Sequence, residues 1–149
     1  MSVELDDRVA TGVMESEIAA VVSAVLRAEG VGEVEVGVVL VDEDEMQTLN
    51  REHRALDTPT DVLSFPIDDD GDDDLDGVTR MLGDIVICVP VLRAQADQNE
   101  VECGDELVDL LVHGTLHLLG YDHETDAGEM LDRQDELVAM LQPIAWPLT

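Results

Sequence analysis

The chain has 149 residues, of which 36 are Asp or Glu and 7 are basic, for a formal net charge of −29. That length fits a single domain, 1–149, large enough to bury about 68–70% of its unfolded surface and so to build a core without disulfide staples. No run approaches the ~18 apolar residues of a membrane span, residues 1–9 are acidic where a signal peptide is positive, and no basic patch of the kind that marks a dedicated nucleic-acid binder is visible.

Glu15–Glu29 places Ile18, Val21, Val22, Val25 and Leu26 at helical spacing, and Gly30 stops it. Val34–Val41 is short and rich in β-branched residues, which predicts a strand. Asp42 suits the N-cap of an acidic helix that turns Met46 and Leu49 inward and ends near Arg54. Pro59 makes Leu56–Thr60 a loop, and Val62–Phe65 a short strand after it. The acidic run Asp68–Asp76 repels itself and reads as a solvated loop. Asp84–Val89 is a further strand, and Pro90 opens a helix at a position where proline is tolerated. From Gly104 to Leu119 apolar residues surround the helix almost completely, which marks a buried one. A last helix is expected from Glu124 to Leu141, with acids on one face. Aromatics are 2% of the chain, so Val, Leu, Ile, Ala and Met must fill the core. Cys88 and Cys103 form no C-x-x-C pair and read as small buried hydrophobes. Helices interleaved with three or more strands make the fold α/β or α+β.

Three of the four histidines fall within eleven residues, HGTLHLLGYDH. His113 and His117 stand one helical turn apart, on the same face. Gly120 accepts the left-handed turn after a helix end, which lets the chain fold back and present His123. Two buried imidazoles on an apolar helix would each cost about 1–3 kcal/mol if left unpaired, and one shared cation satisfies both. A tetrahedral zinc on three imidazoles keeps a position for water. No cysteine lies beside the motif to close the shell, and Asp122 or Glu124 serves only if the turn allows it, so an open, catalytic site is expected. The spacing equals that of the metzincin proteases, but Gly114 stands where their glutamate general base would be. This favours metal-assisted hydrolysis of something other than a peptide bond.

HGTLHLLGYDH resembles the signature of the YbeY family of bacterial rRNA maturation factors, which are metal-dependent endoribonucleases. Two further blocks, LNREHRALDTPTDVLSFP (Leu49–Pro66) and LGDIVI (Leu82–Ile87), resemble the family's other blocks in the same order. The resemblance implies an α+β, zincin-like fold, with a small mixed β-sheet and helices around a central His-bearing helix. It implies one zinc ion at His113, His117 and His123, and an essential arginine that maps onto Arg54. It also implies a single-strand endoribonuclease acting on ribosomal RNA, in small-subunit rRNA 3′ processing and ribosome quality control. The acidic N-terminus and the lack of an apolar span place the chain in the cytoplasm, and a basic small-subunit protein could bring so acidic a chain to its substrate. His53 stands where the family commonly has Tyr, and Ala55 and Leu56 where a basic residue is frequent. Thr60, Asp61 and Ser64 could line the cleft beside Arg54, but nothing in the sequence assigns them a role. Two other readings stay open: a peptidase or amidase, or a non-catalytic zinc-stabilised assembly factor.

Overall fold

The structure, a computed structural model, describes residues 2–67, 80–122 and 126–147. The acidic run Asp68–Asp76, His123 and Glu124 lie outside them. The elements are β1 (Ser2–Asp7), α1 (Glu15–Ala28), β2 (Val34–Val41), α2 (Glu43–Arg54), β3 (Val62–Pro66), β4 (Arg80–Cys88), α3 (Val89–Gln98), α4 (Cys103–Leu118) and α5 (Glu129–Val138). They form an α+β arrangement around one mixed sheet of order β1-β2-β4-β3. The β1–β2 and β2–β4 pairs are parallel, and β3 runs antiparallel to β4 at the sheet's edge.

Both faces of the central strands are covered. Val36, Val38 and Leu40 of β2 and Ile85 and Ile87 of β4 enter the main core with α1 and α4. The alternate residues Val41, Val86 and Cys88 enter a smaller cluster with Met46 of α2. This two-sided burial explains why β4 reads as DIVIC rather than as an apolar–polar alternation. Helix α4 packs against β3, β4, α1, α3 and α5. Leu107, Leu111, Val112 and Leu116 on it are fully buried, each a gain of about 1.5–3 kcal/mol over exposure.

Local signals set most boundaries. Asp42 caps α2 by accepting from the Glu45 N–H at 2.9 Å, and Pro90 sits in the first turn of α3. Three expectations need correction. Strand β1 has no counterpart in the sequence reading, because its alternation Val3–Glu4–Leu5–Asp6 is short and half acidic. Strand β4 begins at Arg80 rather than Asp84, extending the pairing with β2. Helix α5 begins at Glu129 rather than Glu124 and ends at Val138 rather than Leu141. Its start is set by Gly128, left-handed at φ 105, and by Asp126, whose carboxylate accepts from the N–H groups of Gly128 and Met130. Both cysteines are free, Cys88 buried and Cys103 half-buried, and burial pushes both thiols up from their ordinary pKa.

Candidate active site

A cleft of ≈ 600 Å³ opens between α4, β3 and the end of α2. His113, His117, Gly120, Tyr121 and Asp122 form one side of its lining, and Thr60–Ser64, Pro66 and Arg54 the rest. Two of the three expected histidines therefore meet here with the expected arginine. His123 lies outside the described residues.

The histidine pair is positioned from the helix outward. Its ring centroids lie 4.7 Å apart with the planes at 78°. His113 Nδ1 is 2.8 Å from Gln134 Oε1, and His117 Nδ1 is 3.0 Å from the Tyr121 carbonyl oxygen. An acceptor oxygen facing each Nδ1 matches the tautomer with the proton on Nδ1 and Nε2 left as the acceptor nitrogen.

The Tyr121 carbonyl reaches His117 because α4 ends in a Schellman turn. Gly120 adopts φ 98, its N–H donates to His117 O, and the Tyr121 N–H donates to Leu116 O at 3.1 Å. Outside the cleft, the Tyr121 hydroxyl donates to Glu29, which also holds Arg133 at 2.8 Å. Burial, then the neighbouring Glu29 carboxylate, pushes the Tyr121 pKa up.

Arg54 is the last residue of α2 and is exposed. The chain turns sharply after it, with Ala55 left-handed at φ 58, a conformation that costs a non-glycine residue about 1–2 kcal/mol. The loop beyond is tied back to α2: Asn50 Nδ2 donates to Thr58 O at 2.8 Å, and Gln47 Nε2 donates to Asp57. His53 is exposed and meets the Phe65 ring edge-on, and neither of the two lines the cleft.

Gly114 marks a close approach of helix to sheet. A Cβ added there would lie 2.7 Å from Ile85 Cγ2 and 3.3 Å from Ser64 Oγ. The Ser64 hydroxyl donates to the Gly114 carbonyl at 3.0 Å, joining β3 to α4. A glutamate would not fit at this position without displacing the sheet. Beneath the cleft, Gln95 joins Asp61 to a buried carboxylate of α4. With its amide nitrogen facing them, it donates to Glu106 Oε1 at 3.1 Å and Asp61 Oδ2 at 3.3 Å. Burial, reinforced by the Asp109 charge and by Asp61 against a hydrogen bond to Asn99, raises the Glu106 pKa. Sequence reading missed Gln134, Glu106 and Gln95. The one signal for Gln134 was a polar residue at a core-facing position of the last helix.

Fold and cleft together define a small α+β protein built on one buried histidine-bearing helix. The chain belongs to the YbeY family: the family model described as Endoribonuclease YbeY matches residues 3–142. Relatives bearing that name are similar over most of their length. The Moorella thermoacetica protein is 46% identical over 126 residues, covering 80% of this chain and 81% of its own. The Desulfitobacterium hafniense protein is 46% identical over 132 residues, 86% and 82% of the two chains. The solution structure of TM1509 from Thermotoga maritima superposes with a TM-score of 0.63 at 32% identity, covering 93% of this chain and 87% of that one. Among the described residues no helix is long and apolar enough to cross a membrane.

Proposed function

We propose that the chain is a zinc-dependent, single-strand endoribonuclease that matures ribosomal RNA in the cytoplasm on a zincin-like scaffold. His113, His117 and His123 would hold the metal, and Arg54 would bind the reacting phosphate. The observation that carries this reading is the pairing of His113 and His117 in one cleft, each with an acceptor on Nδ1. Neutral imidazoles with Nε2 as the acceptor fit a first-row divalent cation, and a second-sphere acceptor on the other nitrogen is the usual companion of a metal-binding histidine.

A bound cation supplies Lewis acidity and lowers the pKa of water to about 7. The protein's own residues supply the rest. The Arg54 guanidinium would match two phosphate oxygens with its planar fork and stabilise the charge that builds on phosphorus. Thr60, Asp61 and Ser64 shape the same wall. With glycine at 114, that position supplies no carboxylate to protonate an amine leaving group, which speaks against a peptidase.

The acidic surface is compatible with an RNA substrate because charges beyond about 8 Å are screened at physiological ionic strength. Among the described residues, Arg54 is the arginine that lines the cleft. A basic small-subunit protein would help deliver the enzyme to its substrate. Faster cleavage of assembled small subunits than of naked RNA is the expected result, and equal rates would remove the partner.

The central test combines elemental analysis with RNA cleavage for wild type, His117→Ala and Arg54→Ala. Wild type should carry zinc and cleave in a chelator-sensitive way, and His117→Ala should lose both properties. Arg54→Ala should keep the metal and lose about 10²–10³ in rate. Wild-type cleavage by Arg54→Ala would turn the reading toward an assembly factor.

A further inference from the structure

We infer that Gln134 is a positioning residue for His113: held in one amide orientation by Asp109, it fixes the ring's proton on Nδ1 and so decides which nitrogen can ligate. The purpose of this relay rests on the metal reading above; its existence does not.

Gln134 sits on α5 between Met130 and Leu137, which are 0% and 1% exposed, and is itself 7% exposed. Packing alone would place an aliphatic side chain there, since a buried amide costs about 1–3 kcal/mol unless it is hydrogen-bonded. Its two ends meet two residues of α4 that lie four apart, on one face of that helix. Gln134 Nε2 donates to Asp109 Oδ1 at 2.9 Å, and Gln134 Oε1 lies 2.8 Å from His113 Nδ1.

The order of donors and acceptors gives the relay a direction. A carboxylate only accepts, so Asp109 requires the nitrogen end of the amide. The oxygen end must then face His113, which answers with an N–H. The protonated nitrogen is thereby Nδ1. His117 needs no such device, because the turn at Gly120 brings a main-chain carbonyl to it. His113 lies mid-helix, where the nearby carbonyls serve the helix itself, and takes its acceptor from a neighbouring helix instead.

Asp109→Asn separates this role from simple packing. The substitution keeps size and shape but lets residue 109 donate as well as accept, so the Gln134 amide can turn over and present its nitrogen to His113. Gln134→Leu removes the acceptor altogether. The first measurement is long-range ¹H–¹⁵N correlation of the histidine rings in the metal-free full chain, at about pH 8.5, some two units above the ordinary imidazole value. Wild type should show His113 protonated on Nδ1, and both variants should show a share of the Nε2-protonated form. The second measurement is zinc affinity by competition with a chromophoric chelator, expected to fall about 10–100-fold in both variants.

An Nδ1-protonated His113 unchanged in Asp109→Asn, with unchanged zinc affinity, would overturn the inference, and so would a wild-type ring protonated on Nε2. Should Gln134→Leu fail to fold, Asp109→Asn alone decides. If wild type binds no zinc but its tautomer responds to Asp109→Asn, the relay stands and the metal reading falls.

Discussion

Gly114→Ala tests whether the helix–sheet approach shapes the cleft. The added methyl would lie 2.7 Å from Ile85 Cγ2 and 3.3 Å from both Ile85 Cγ1 and Ser64 Oγ. Ile85 is fully buried, and its β-branched side chain is stiff at χ1, so relief requires moving the helix or the strand. Overpacking of this kind costs about 1–3 kcal/mol, while alanine gains about 0.8–1 kcal/mol over glycine in a helix. The net is a loss of about 1 kcal/mol, or about 2–4 °C in Tm for a chain of this size. Urea and thermal unfolding measure it directly. In the Gly114→Ala background, Ile85→Ala should cost about 1 kcal/mol less than in the parent, since it vacates the contested space. The displaced Ser64–Gly114 bond should also slow RNA cleavage. An alanine variant as stable as the parent, or more stable, would refute the reasoning.

Two further predictions concern stability. Glu106 is buried and its pKa is raised, so protonation is favoured in the folded state more than in the unfolded. Its contribution to stability is therefore greatest below the unfolded value near 4.5 and is lost as pH rises through the raised folded value. Glu106→Gln should raise Tm at neutral pH and matter little at about pH 4, and a loss of Tm at neutral pH would contradict it. Asp42→Ala removes the cap of α2 and should cost about 1 kcal/mol, read as a lower urea midpoint with an unchanged slope.

The order of evidence in this protein follows the range of the forces. Helices α1, α2 and α4 and strand β2 were legible to within a residue or so, because periodicity, an Asp cap and glycine stops act over a few neighbours. The histidine pair was legible for the same reason: a spacing of four on a helix is a statement about one face. Arg54 was different. Nothing in its own neighbourhood distinguishes it from a helix-capping charge, and it was singled out through the resemblance of Leu49–Pro66 to the family.

What the chain carried in its own order was thus the set of elements, a buried helix, and two imidazoles one turn apart. Tertiary structure alone decided that β1 completes the sheet and that β3 runs antiparallel along the cleft. It also decided that the helix at residue 114 comes so close to Ile85 that even a methyl group must displace its neighbour, and that Gln134 from a separate helix sets the proton of His113. Each of those is a contact between residues distant in sequence, and a hydrogen bond or a collision at 3 Å leaves no local pattern to read. Composition can name the residues able to make such contacts, but the packing chooses which of them meet.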